Sequence, residues 1–127
     1  LKKVSEFSIQ SVKFFITRTG IVDISEGTFK AVLVTIGRKT GKEHSVEIRS
    51  VFHKGSFYFS RRNPDSDWLK NALYNPNVKI LYQGEIISGT ASLVNDQELC
   101  KKISQMKYSD KRSEEARIVL QVIPCEL

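Results

Sequence analysis

Apolar positions along most of this chain recur at strand intervals. Residues 28–36 are rich in β-branched side chains, and residues 43–52 alternate apolar with polar. Between them Gly37-Arg38-Lys39-Thr40-Gly41 makes a reversal, with glycine at both ends to supply the backbone angles a tight connection needs. Lys54-Gly55 turns the chain again into residues 56–60, which completes a three-stranded meander. Arg61-Arg62-Asn63-Pro64-Asp65 reads as a loop. Asp65 or Ser66 can then cap a short helix through Trp68, Leu69, Ala72 and Leu73, which Asn75-Pro76 stops. Residues 78–82 and 85–94 form a second hairpin around Gln83-Gly84. Residues 96–106 have helical composition with Asn95 or Asp96 as cap, and residues 117–123 return to a β-branched run before Pro124. At the start, Val4, Phe7, Val12, Phe15 and Ile16 make a helical stripe that predicts a helix over residues 4–17, ending near Thr19-Gly20.

Six mostly antiparallel strands with two or three short helices at the connections predict an α+β protein whose sheet curls into a barrel, a solution that leaves no exposed edges. A chain of 127 residues suits one domain, expected to span residues 1–127. No apolar run approaches the roughly 20 residues that span a bilayer, so no membrane span is expected. The first residues lack the apolar core and cleavage site of a secretory signal. Cys100 and Cys125 form no Cys-x-x-Cys pair and fall in different predicted elements, which suits reduced thiols and a cytoplasmic setting. His44 and His53 lie an odd number of residues apart on one predicted strand. They therefore face opposite ways, and no metal site is expected.

The net charge of +6 favours acidic partners without saying which. Its placement is more informative. Arg38, Lys39 and Lys42 crowd the first turn, with Arg61 and Arg62 in the loop after the third strand. A guanidinium fork, an ammonium, the Thr40 hydroxyl and turn amides suit a phosphate or carboxylate, whereas the plain alternative is a solvated basic hairpin tip. As exposed turn charges, Arg38 and Lys39 should cost under about 0.5 kcal/mol of folding energy to remove.

With the turn at residues 37–41 followed by Trp68, Asn71, Asn75, Pro76 and Val78 at matching spacing, the chain resembles the deazaflavin-dependent nitroreductase family, relatives of the pyridoxamine phosphate oxidase-like split barrels that bind FMN. The likeness runs from about residue 28 to residue 94. It implies a split β-barrel in which Arg38, Lys39, Thr40 and Gly41 hold the phosphate-bearing tail of coenzyme F-420 or FMN. Ser60, Arg61 and Arg62 would border the ring system, Trp68 would shield it, and Tyr108 is the implied proton donor of the substrate pocket. The chain departs from the family pattern at Arg61-Arg62, where a glycine pair is usual, and at Glu47-Ile48, where Pro-Leu is usual.

Each of these residues also has a plainer role. Trp68 suits a core anchor, Glu47 and Arg49 an exposed ion pair, and Lys101, Lys102, Lys107, Lys111 and Arg112 a solvated helix face. No Ser-His-Asp or Cys-His arrangement is placed for nucleophilic catalysis. The expected activity is that of an oxidoreductase, an F-420- or FMN-dependent nitroreductase- or quinone reductase-like enzyme. Hydride would pass from the reduced cofactor to an electron-poor acceptor such as a quinone or nitro compound. The expected partners are thus the small-molecule cofactor and acceptor, with a monomer or homodimer as the assembly. Two alternatives are a flavin or deazaflavin carrier or sensor without turnover and, ranking last, a basic nucleic-acid-binding domain. Nucleic acid is not expected, because the cations sit at strand ends rather than along a groove.

Overall fold

The computed structural model describes residues 12–17, 20–115 and 117–125. Its elements, in chain order, are β1 (Val12–Ile16), β2 (Ile21–Ser25), β3 (Gly27–Ile36), β4 (Glu43–His53), β5 (Ser56–Arg61), α1 (Asp67–Tyr74), β6 (Asn77–Tyr82), β7 (Glu85–Leu93), α2 (Gln97–Lys107), a 3-10 turn (Lys111–Glu114) and β8 (Ile118–Pro124). Strands β3 to β8 close into an all-antiparallel barrel in the order β3-β4-β5-β8-β7-β6. These are the six strands expected from the sequence, with ends that agree to about one residue.

Alternation explains the closure. Leu33, Phe57, Phe59, Ile80, Leu120 and Val122 point inward and fill the barrel. On the outside, α2 lays Cys100 and Ile103 over Val51, Tyr58 and Val119, forming a second, smaller core. The β4–β5 and β6–β7 reversals each place two residues at positive φ, Lys54 (49°) with Gly55 (83°) and Gln83 (50°) with Gly84 (78°). That geometry matches the twist of a two-residue hairpin. The β3–β4 pairing runs from Gly27↔Phe52 to Ile36↔Glu43, but β4 meets β5 only from Val51↔Tyr58 to His53↔Ser56. Beyond Val51 those two strands separate, and this gap shapes both regions described below.

The N-terminal helix is not formed where the structure can test it. Val12–Ile16 is a strand that pairs with an unforeseen partner, Ile21–Ser25, while residues 4–11 lie outside the described residues. The helical spacing was outweighed by packing. The ribbon alternates, sending Phe15, Val22 and Ile24 down and leaving Phe14, Ile16 and Ile21 exposed. The Phe15 ring packs 6.1 Å from both Phe52 and Phe57, whose own centroids are 5.0 Å apart. This end of the barrel is therefore plugged by aromatic side chains, and the opposite end, where β3 and β5 finish and β4 begins, is where α1 sits.

Candidate functional site

The last residues of β3 and β5, the first of β4 and the N-terminal turn of α1 enclose a cleft of about 620 Å³. Arg38, Lys39 and Thr40 line one wall and Arg61, Asp65, Ser66 and Asp67 the other, with Trp68 and Asn71 at its base. The two basic bends separated in sequence thus share one recess.

The first bend is held by its own backbone: Gly37 N–H donates to Lys42 O and Gly41 N–H to Gly37 O, both at 2.8 Å. Gly41 adopts φ +71°, so its contribution is conformational, and it does not line the cleft. Gly37 is needed for space, since a Cβ there would stand 2.6 Å from His44 Nε2 and 2.7 Å from Thr40 Oγ1.

Arg38 is not the loose fork that a hairpin tip suggests. Its Nη1 donates to Asn71 Oδ1 at 2.7 Å, its backbone N–H to the same oxygen at 3.2 Å, and its Nη2 to Asp67 Oδ1 at 3.2 Å. The buried Asn71 thereby ties the basic turn to α1, with Nδ2 directed at Thr35 Oγ1. A stability cost under 0.5 kcal/mol for Arg38 does not follow from this geometry. Asn71 carries a signal in the sequence: it lies three residues after Trp68, a polar residue on the apolar face of a short helix.

Charge pairing then decides which cations remain free for a ligand. Asp67 is paired with Arg38, and Asp65 with Lys70 at 3.3 Å. Lys39 and Arg61 face the cleft without a carboxylate partner among the described residues. Ser66 adds to this. As the N-cap residue of α1 it makes no side-chain cap; its hydroxyl donates to Asn63 O at 3.1 Å and accepts from Arg61 Nε at 3.0 Å. Among the described residues the first-turn amides of α1 therefore have no side-chain acceptor, at a helix end that already favours anions.

Trp68 is both a core residue, 6.5 Å edge-on from Phe59, and part of the cleft base. The remaining expected site residues fall elsewhere. Arg62 turns away to Glu115, at 2.9 Å. Ser60 is buried on the outer face and accepts from Lys107 Nζ at 3.1 Å. Tyr108 lies beyond α2, its ring 4.2 Å from the Arg112 guanidinium and 4.8 Å from that of Arg117, whose Nη1 donates to its hydroxyl at 2.7 Å. Lys107 is accordingly not part of a solvated helix face, whereas Arg112 stays exposed, on the 3-10 turn and paired with Asp110. Glu47 does not line the cleft, and Arg49 bonds Thr28 Oγ1 rather than Glu47. Among the described residues no group of His, Cys, Asp or Glu could hold a metal ion, and no helix is long and apolar enough to cross a membrane.

A closed six-stranded antiparallel barrel with a helix-flanked cleft at one mouth defines the split-barrel class. The family model of the F420H(2)-dependent quinone reductases matches residues 10–120, and the chain belongs to that family. It is a member of a deazaflavin-dependent reductase family. Among solved structures it is similar to an F420-H2-dependent reductase (FDR-A), at 20% identity over 73% of this chain and 92% of that one, TM-score 0.59. It is also similar to a putative pyridoxamine 5'-phosphate oxidase from Listeria innocua, at 18% identity over 75% and 82%, TM-score 0.58. A third similar structure is described as a domain-swapped dimer, with 19% identity over 95% of both chains and a TM-score of 0.58. No curated protein matches the chain.

Proposed function

We propose that the cleft holds the phosphate-bearing tail of coenzyme F-420 and that the protein reduces a quinone at the coenzyme's expense. The observation that supports this most is the charge balance: Lys39, Arg61 and the uncapped first-turn amides of α1 converge on one recess, where the Asp65 and Asp67 carboxylates are already paired with Lys70 and Arg38. These donors fit a phosphate and the adjoining carboxylates. When bound, the coenzyme supplies the hydride, which explains why the chain lacks an acid–base constellation. The side chains bind and orient. Lys39, Arg61 and Thr40 grip the anion, Arg38 holds the turn against α1 through Asn71 and Asp67, and Trp68 forms an apolar floor.

Gly41 serves this site through its backbone. Ser60 and Tyr108, on the far side of β5, are assigned to the ring and acceptor end rather than to the tail, with Arg62 at their border. FMN offers the same donors a phosphate monoester, and a nitro compound offers an alternative acceptor. We assign the protein to a cytoplasmic monomer or homodimer. Separate fluorescence titrations with F-420 and FMN, followed by quinone reduction with the reduced coenzyme, test the reading. Micromolar F-420 binding with turnover is expected. Binding without turnover across an acceptor panel would make the protein a carrier, and no binding of either cofactor would refute the proposal.

A further inference from the structure

Beneath α2, on the outer face, donors outnumber acceptors. Past Val51 the separating β4 and β5 leave a gap that Lys107 enters, its ammonium donating to the Ser60 hydroxyl at 3.1 Å and approaching the Ser60 carbonyl at 3.5 Å. The Arg117 side chain is 11% exposed, with its Nε buried. That Nε has no hydrogen-bond partner among the described residues, and the Glu115 carboxylate it faces stands 3.6 Å away and is already engaged by Arg62. Tyr108 accepts from Arg117, yet its own O–H finds no acceptor among the described residues. Arg112 is neutralised by Asp110 at 2.8 Å, while the Arg49 guanidinium bonds Thr28 Oγ1 and no carboxylate among the described residues.

Arg62 and Arg117 thus share the one Glu115 carboxylate, and Lys107 has no carboxylate partner among the described residues. The consequence appears in Lys107, which burial first, and then the charges of Arg117, Arg49, Arg61 and Arg112, push down to about 8. Holding several cations together without counter-charge is unfavourable, and such arrangements concentrate at functional sites. Lys107 Nζ stands 5.4 Å from the Tyr108 ring centroid, and an oxyanion between them would give the Tyr108 hydroxyl and the third Lys107 proton an acceptor.

We propose that this cluster is a second oxyanion site, separate from the cleft, in which Lys107, Arg117 and Tyr108 bind a phosphate or carboxylate group of a small molecule. The two sites lie on opposite faces of β5 and share only the neighbourhood of Arg61, so the inference stands whatever the cleft binds. A molecule held here would lie against Ser60 and Tyr108, the side we assign to the acceptor; the acceptor would then carry an acidic group.

The test follows the Lys107 ammonium by NMR through a pH titration, alone and with inorganic phosphate or succinate. A bound anion should raise the Lys107 midpoint by about one pH unit. Tyr108→Phe, which deletes the hydroxyl, should weaken the response several-fold. Lys39→Ala, in the cleft, should leave it unchanged. A response to phosphate alone or to succinate alone identifies the oxyanion. An unchanged Lys107 titration with both anions, or a response abolished by Lys39→Ala, would overturn the proposal.

Discussion

Replacing Asn71 by Ala probes the joint between the basic turn and α1. The change removes the acceptor of two Arg38 hydrogen bonds, at 2.7 Å from Nη1 and 3.2 Å from the backbone amide. A charge-assisted bond is worth about 1.5–3 kcal/mol and a neutral one about 1. The Arg38 side chain is 23% exposed, so water can replace part of the first term. The 3.5 Å contact to Thr35 lies at the limit of a hydrogen bond and contributes little. What remains is dominated by the backbone N–H left without an acceptor and by the small void, giving about 2 kcal/mol of lost stability. At this size each kcal/mol corresponds to about 3–5 °C in Tm, so urea and thermal unfolding both resolve the effect. Coenzyme affinity should fall at least about tenfold, because Arg38 and the turn it anchors lose their position. Stability changed by less than about 0.5 kcal/mol, with affinity intact, would show that Asn71 does not organise the site.

Three further outcomes follow from the same geometry. Asp67→Asn frees Arg38 from an exposed carboxylate; stability should change by under about 0.5 kcal/mol, while F-420 titration should show binding a few-fold tighter, and weaker binding would contradict the competition. Gly37→Ala forces His44 and Thr40 to move, so calorimetry should show reduced coenzyme affinity with about 1 kcal/mol of destabilisation; unchanged affinity would mean that this wall does not touch the ligand. Burial raises the Glu26 pKa, but its hydrogen bonds to His53 at 2.7 Å and from the Lys54 amide at 2.7 Å outweigh that and leave it below the usual carboxylate value. The linked stability is therefore fully present above the ordinary glutamate pKa and is lost as pH falls through the lowered one. Urea unfolding from pH 6 to 3 should be less pH-dependent in Glu26→Gln, and parallel curves would contradict the assignment.

The barrel strands were legible because their side chains alternate and their hairpin turns carry Gly at the points of reversal. The β1–β2 ribbon was not, since Val12, Phe15 and Ile16 satisfy a helical spacing while the energy is set by Phe15 meeting Phe52 and Phe57, residues far along the chain. At the cleft, the sequence located both basic bends but not which charges stay free. That depends on Asn71, Asp67 and Ser66, whose contacts with Arg38 and Arg61 exist only once α1 is folded against β3. Lys107 shows the same limit in reverse. Its place among helix lysines suggested solvent, and only the separation of β4 from β5 draws its ammonium inward to Ser60.

A crystal structure of the protein with coenzyme F-420 bears most directly on the central claim. The account predicts the coenzyme's phosphate at the first turn of α1, bridged by Lys39 and Arg61, with Arg38 still bound to Asn71. A phosphate located outside this cleft, whether at Lys107 or on another surface, would contradict it.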